Sequence, residues 1–472
     1  MDIRPFLVAG RPIASAESFD VRSPWNDTLV ARVARPSPAE VERSLALAHG
    51  ARETVRRVPA WRRAEILAAV ARRLAEEPDR FAATIIRESG KPWTAARGEV
   101  DRAIGTLRAS AAEATRAPGE VVPLDAAPGG EGRLGILRRF PLGVVACITP
   151  FNFPLNLVAH KIGPAIAAGC PFVLKPASKT PSSALDLAQA FLDAGAPPEA
   201  VTVLPLAGNA ATDLACDPRV RVVSFTGSPE VGWELRRRAF RQRVVLELGG
   251  NAGVVVDRGA DLDRAATRCA AGAFGQSGQS CVSVQRIYAH REVFEPFVER
   301  LLTRVRALVV GDPMDPATDV GPLVTEADAR RVEAWIEESR SAGATVLAGG
   351  GRRGSLVEPT VLTGTKPQDR VCAREVFGPV AVVEAVDSAA EGIAAVDASE
   401  FGLQAGIFTP DLATALAAFE SIEAGAVLVN EVPTWRSDPM PYGGTKGSGV
   451  GREGPRFAVE DYTEPRLLVL GR

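Results

Sequence analysis

From Gly143 onward, short Val/Ile/Leu-rich runs alternate with Ala-rich stretches, and this alternation constrains the fold more than any other feature. The apolar runs are Val144 to Ile148, Phe172 to Leu174, Val201 to Leu204, Val222 to Phe225 and Val244 to Leu248. Each is too short for a helix and too continuously apolar for a sheet with one wet face. Such runs read as strands of a parallel sheet, covered on both faces by crossover helices. Sheets of this kind bind ligands at the carboxyl ends of their strands. Most of these five runs are followed at once by residues capable of chemistry.

The chain has 472 residues, beyond the roughly 250 to 300 at which one core stops growing, so two or more domains are expected. Ahead of Gly143, Ser37-Pro38-Ala39-Glu40 is a capping box, followed by Val41, Leu45 and Ala48 on one helical face. A second helix carries Leu67, Val70 and Leu74, and a third spans Val100 to Ala114. Together they predict a mostly helical opening region of about a hundred residues. The Pro/Gly-rich segment from Pro118 to Arg139 and the closing run Tyr462 to Leu470 stand outside the strand–helix alternation. A terminal strand is an edge that must be protected or paired, so these two pieces predict an element that pairs between subunits.

Hydrophobic residues make up 46% and charged residues 24%, and the net charge of −2 is spread without a long single-sign block. That argues against nucleic acid as a partner. No run approaches the roughly 18 apolar residues of a membrane span. Arg11 and Pro12 cut short the only apolar stretch near Met1, and six cysteines lack paired spacing. A reducing cytoplasm is the expected setting. His49, His160 and His290 are the only histidines, and none has a second ligand at helical spacing, so no metal is expected.

Five of the cysteines, Cys147, Cys170, Cys216, Cys269 and Cys372, lie in or beside apolar segments, as buried thiols do. Cys281 instead sits in Phe274-Gly275-Gln276-Ser277-Gly278-Gln279-Ser280-Cys281-Val282-Ser283. A working thiol needs surroundings that favour its anion or a base that takes its proton. Candidate partners follow the strands. Asn152, framed by Pro150 and Pro154, is either a preorganised oxyanion donor or the cap of a helix beginning near Leu155. Glu247, in an apolar strand end before Gly249 and Gly250, is either a general base with a raised pKa or half of a structural ion pair. Lys175 leaves a buried strand towards a ligand, and Gly227 and Ser228 open a helix whose N-terminus suits a pyrophosphate. The G-x-G-x-x-G fingerprint is missing.

In order along the chain, Phe151-Asn152-Phe153-Pro154, Lys175-Pro176, Phe225-Thr226-Gly227-Ser228, Glu247-Leu248-Gly249-Gly250, Gly278-Gln279-Ser280-Cys281, Glu375-Val376-Phe377-Gly378-Pro379 and Pro441-Tyr442-Gly443-Gly444-Thr445-Lys446-Gly447-Ser448-Gly449 resemble the aldehyde dehydrogenase superfamily. The resemblance implies an α/β protein with a Rossmann-like parallel-sheet cofactor domain (1–117 and 140–248), a second α/β catalytic domain (249–450) and a small β oligomerisation element (118–139 and 451–472). It implies that Cys281 attacks an aldehyde, that Asn152 and the Cys281 N–H hold the oxyanion, and that Glu247 activates the water that hydrolyses a thioester. NAD(P) would take the hydride. Lys175 would hold the adenosine ribose, Ser228 the pyrophosphate, Glu375 the nicotinamide ribose and Phe377 the nicotinamide, with Thr149, Pro150, Phe151, Gly227 and Leu248 completing the groove. NAD-preferring relatives often carry glutamate where this chain has Ser178. Without that carboxylate, and with Lys179 adjacent, a 2′-phosphate is tolerated, so NADP is expected to be usable.

The stretches Leu155 to Ala167, Gln279 to Arg286 and Val432 to Arg436 resemble the lactaldehyde dehydrogenase-like branch, whose relatives include enzymes for small aldehydes, some anionic. Arg108, His160 and Arg436 are the candidates to bind a hydroxyl or anion, with Phe153, Ser280 and Tyr442 lining the pocket. Each of Arg108, His160 and Arg436 also has a bland reading, in turn a helix salt bridge, a packed histidine and a solvated loop residue. The expected activity is oxidation of a small aldehyde by a dimer or tetramer. The alternatives are a CoA-acylating relative, which typically lacks the equivalent of Glu247, and a non-catalytic binding or structural relative.

Overall fold

The computed structural model describes residues 2–116 and 119–471. The expected boundary between 117 and 118, with Pro118 itself, lies outside the described residues. All five predicted strands form, at Val144–Ile148, Phe172–Lys175, Val201–Val203, Val220–Thr226 and Arg243–Glu247. They pair in parallel. Their order across the sheet is Arg243–Glu247, Val220–Thr226, Val144–Ile148, Phe172–Lys175, Val201–Val203. The winding therefore reverses between the first and fourth strands, which is where a doubly wound sheet opens a ligand crevice.

One face of this sheet is covered by the helices Ala60–Glu76, Trp93–Thr115 and Asn156–Ala168. Leu67, Val70, Leu74, Leu107 and Ile162 are fully buried there, each contributing on the order of 1.5–3 kcal/mol by leaving water. Asn156–Ala168 is buried at every position, including Asn156, His160 and Lys161. Three polar side chains on an enclosed helix require partners, and those partners build the site described below.

A second parallel sheet follows at once. Its order is Thr345–Ala348, Thr360–Thr363, Val380–Val386, Arg286–His290, Gly253–Val256, Gln404–Phe408, Ala426–Val429, with only the first strand antiparallel. The link from Glu247 to Gly253 joins the two sheets directly. A third, antiparallel sheet holds Thr463–Leu470, Leu134–Pro141 and Gly119–Val122.

Two expectations are revised. The opening region is mostly helical but does not begin so, because five short strands lie between Ile3 and Ala34, ahead of the capped helix Pro38–Gly50. Phe6–Val8 even joins the first sheet, antiparallel to Val201–Val203. Runs of two to six residues carry too few periods to be recognised. Residues 451–472 also do not act as one element. Pro455–Asp461 is a helix packed on Asn156–Ala168, with Ala458, Val459 and Tyr462 in the first core. Gly449–Val450, expected in the second domain, is an edge strand of the first sheet beside Leu246 and Glu247. The strand Leu134–Pro141 runs unbroken through the expected boundary at 140.

Candidate active site

A cleft of about 660 Å³ opens where the carboxyl ends of the first sheet face the second domain. Cys281 lies on it, half-buried, together with Asn152 and Glu247. The segment before Cys281 is held in a conformation that ordinary helices and strands do not provide. Gln276, Ser277 and Gly278 take consecutive left-handed φ values of 55°, 57° and 68°. Strain of this kind persists only where the surroundings over-determine it. Ser277 Oγ donates to the Gly321 carbonyl at 2.8 Å, and Gln279 Oε1 accepts from the Val324 N–H at 3.0 Å. A Cβ at Gly278 would run into the Gly378 carbonyl.

Asn152 is tied to this same segment. Its Nδ2 donates to the Gln279 carbonyl at 3.0 Å, and Gln276 Nε2 donates to the Asn152 carbonyl. Asn152 Oδ1 is buried without a partner. Asn152 does not cap the following helix, because Glu99 does. Its Oε1 accepts from the N–H groups of Leu155 (2.8 Å) and Asn156 (3.1 Å), while Oε2 is paired with the buried Lys91. The neutral amide is thereby left beside the thiol.

Glu247 is 2% exposed, and neither carboxylate oxygen has a hydrogen-bond partner. Burial, and then the neighbouring Glu453 carboxylate, push its pKa well above the ordinary range. Glu453 itself goes the other way, to about 2, because Lys161 holds it at 2.6 Å despite its burial. The ion-pair alternative for Glu247 therefore fails: that pair belongs to Glu453 and Lys161. The Cys281 thiol is pushed up to about 12 by burial, and its closest polar neighbour is Tyr442 Oη at 3.0 Å. A resting thiol is thus neutral at physiological pH.

Of the cofactor candidates, Pro150, Phe151, Gly227, Ser228, Leu248, Glu375 and Phe377 line the cleft. Ser228 stands at the N-terminus of Pro229–Arg238, with its hydroxyl not used as a cap. Glu375 Oε1 accepts from the Gly250 N–H at 2.9 Å, and burial raises its pKa to about 7. Phe151 and Phe377 meet edge to face at 5.8 Å. Lys175, the last residue of Phe172–Lys175, and Ser178 and Lys179 just beyond it are off the cleft. Burial alone draws the Lys175 pKa down; Ser178 and Lys179 are exposed. Thr149 is buried behind the wall, its Oγ1 unpartnered.

The substrate candidates divide. Phe153, Ser280, Arg436 and Tyr442 line the cleft. Arg436 is no solvated loop residue: its side chain is 7% exposed, its guanidinium lies 3.7 Å from the Tyr442 ring centroid, and its Nε has no hydrogen-bond partner, with Asp438 Oδ1 at 3.9 Å and Glu453 Oε2 3.8 Å from its other end. Arg108 is corrected, being exposed and absent from the cleft lining. It lies nine residues beyond Glu99 on the helix Trp93–Thr115, and at about 100° per residue that is the opposite face. Arg102, three residues beyond Glu99, occupies the cleft instead and pairs with Asp438 at 2.8 Å. His160 is corrected too, since it is fully buried behind the wall. Its Nε2 lies 2.9 Å from Asp438 Oδ1, and burial lowers its pKa.

Sequence reasoning missed Glu99, Arg102, Lys161, Asp438 and Glu453. Helical spacing from Glu99 could have selected Arg102, whereas the other three are brought in by contacts between distant segments. Among the described residues, no group of three or more His, Cys, Asp or Glu could hold a metal, and no helix is long and apolar enough to cross a membrane.

Comparison with known proteins agrees with this geometry. The model of the aldehyde dehydrogenase family matches residues 12–468. The 3-sulfolactaldehyde dehydrogenase of Priestia aryabhattai is 42% identical over 98% of this chain and 97% of that protein. The structure of aldehyde dehydrogenase 21 from Physcomitrella patens, in complex with the reaction product succinate, superposes with a TM-score of 0.97 at 38% identity, covering 99% of this chain and 98% of that one. NADP-dependent glyceraldehyde-3-phosphate dehydrogenase from Bacillus halodurans C-125, complexed with NADP, gives 0.97 at 33% identity with both chains fully covered. A strand-end cleft holding a thiol, an amide and a buried carboxylate, on a fold shared along its whole length with these enzymes, makes the chain a member of the aldehyde dehydrogenase family, an NAD(P)-dependent oxidoreductase of aldehydes.

Proposed function

We propose that this protein oxidises a short aldehyde bearing an anionic group to its carboxylic acid, with Cys281 as nucleophile, Asn152 as oxyanion donor and Glu247 as hydrolytic base. The observation that carries the reading is the convergence of these three side chains on one cleft. The residues also fit a dinucleotide: an uncommitted serine at a helix N-terminus, a lysine with no charged influence upon it, and a carboxylate and two aromatic rings on the cleft wall. When bound, the nicotinamide accepts the hydride.

Cys281 sulfur forms a bond to the aldehyde carbon, and the carbonyl electron pair moves to oxygen. The Asn152 amide and the Cys281 N–H stabilise that oxygen as charge develops. Loss of hydride leaves a thioester on Cys281. Glu247, as carboxylate, removes a proton from water, which adds to the thioester carbon and expels the thiolate. The Gly443 position keeps room for this base, since a Cβ there would stand 2.7 Å from Glu247 Oε1.

Arg436, whose side chain is buried on the cleft with no hydrogen bond at Nε, and Arg102, both near Asp438, supply the cationic end that an anionic aldehyde requires. The relatives named for sulfolactaldehyde, glyceraldehyde-3-phosphate and succinate support an anionic substrate. Ser178 and Lys179, exposed past the strand Phe172–Lys175, leave a 2′-phosphate tolerated, so that NADP is usable. Self-association through the antiparallel sheet and a cytoplasmic setting complete the proposal. Incubating the protein with neutral, hydroxylated and anionic short aldehydes and either cofactor tests it. Reduced cofactor with anionic aldehydes, abolished in Cys281→Ser, is the expected result; no turnover across the panel, or an active Cys281→Ser, refutes it.

A further inference from the structure

Tyr442 has an atom on the nucleophile and no role in the chemistry above. Its Oη lies 3.0 Å from Cys281 Sγ, inside hydrogen-bonding range for sulfur. The ring is 5% exposed and packed among Val282, Leu403 and Cys281. Its backbone is locked on both sides by Glu453, with Tyr442 N–H donating to the Glu453 carbonyl at 3.0 Å and the reverse bond at 2.6 Å. The Arg436 guanidinium covers the ring face at 3.7 Å. The hydroxyl therefore has little freedom to point elsewhere.

A neutral thiol can give or receive this hydrogen bond, whereas a thiolate can only accept, so the phenol must be the donor once the sulfur ionises. Other charged groups facing the sulfur are Glu247 and Glu375, which oppose an anion, and Arg436, which favours one. Arg436 is engaged with the Tyr442 ring, so the phenol O–H is the polar donor in contact with the sulfur. Burial keeps that phenol protonated at any physiological pH.

We propose that the Tyr442 hydroxyl donates a hydrogen bond to the Cys281 thiolate, populating and aiming the attacking form of the nucleophile. The proposal rests on Cys281 being the nucleophile. The S–H proton leaves to solvent or a cleft carboxylate, and the electron pair stays on sulfur as acceptor from O–H. When sulfur bonds to the aldehyde carbon, its negative charge passes to the carbonyl oxygen and the Tyr442 bond weakens. Tyr442 keeps its own proton throughout.

The test is alkylation of Cys281 by iodoacetamide without cofactor or substrate, followed at that peptide by mass spectrometry across pH. In Tyr442→Phe the profile is expected to move up by about one pH unit, so that alkylation at neutral pH slows about tenfold. Incorporating 3-fluorotyrosine, a stronger donor, moves it the opposite way. The chain's other tyrosines, Tyr288 and Tyr462, are outside the cleft. Cofactor binding by fluorescence verifies the fold of each variant. Profiles that coincide with the wild type in both proteins overturn the proposal. If Cys281→Ser stays active, the nucleophile reading has failed; if it is dead while Tyr442→Phe alkylates normally, only the role of Tyr442 has.

Discussion

Glu247 is held well above the ordinary carboxylate range, because burial and the Glu453 carboxylate oppose its charge. Its base form is populated only as pH rises towards its elevated pKa, so thioester hydrolysis is expected to accelerate on the alkaline side. Glu247→Gln removes that dependence: stopped-flow absorbance will keep a burst of reduced cofactor, while steady-state turnover falls by a factor of about 10²–10⁴, the usual worth of a general base. At the other end of the groove, Ser178→Glu places a carboxylate against a 2′-phosphate. It is expected to raise the KM for NADP and leave that for NAD nearly unchanged. Titrating both cofactors in one assay checks the asymmetry.

At the scale of elements, the helix Asn156–Ala168 is the hub, and its N-terminus is held by a charge from a different helix. Glu99 bonds the first two free N–H groups and is itself held by Lys91, whose ammonium lies 4.0 Å from the Phe153 ring centroid. Glu99→Ala leaves a buried lysine without its partner, at a cost of about 3–5 kcal/mol. A lowered unfolding midpoint in denaturant and a reduced kcat, through displacement of the Asn152 turn, are the expected readouts. This contact also marks how far the sequence could be read. The five buried strands, with Asn152 and Glu247 at their carboxyl ends, are legible because apolar runs and their C-terminal neighbours are contiguous in the chain, and Cys281 is legible from its glycine-rich, small polar surroundings. Glu99 and Asp438 were not, since their importance arises from partners 56 and 282 positions away. Arg108 lies on the helix face opposite the cleft, which the sequence does not show because helical phase needs a known cleft-side residue such as Glu99 to fix it. The strands between Ile3 and Ala34 were too short to leave a periodic trace.

For the whole molecule, the antiparallel sheet of Gly119–Val122, Leu134–Pro141 and Thr463–Leu470 presents Leu467, Leu468, Val469 and Leu470 at 47–54% exposure. A row of half-exposed aliphatic residues on an edge strand calls for a cover. Leu468→Arg is expected to lower the assembly size in sedimentation or light scattering while leaving the monomer fold intact by circular dichroism; an unchanged mass would exclude this sheet as the interface. The order in which the molecule can be made follows from another of its features. Tyr442, Gly443 and Glu453 all border the cleft's chemistry, and Gly449–Val450 returns to flank Glu247 in the first sheet. A nascent chain that has reached residue 430 already contains the thiol, the amide and the hydrolytic carboxylate, yet not the part of the wall that Thr434, Arg436, Tyr442 and Glu453 supply. Domains fold in order of emergence during synthesis, so the reactive centre is completed only as the last segment threads back.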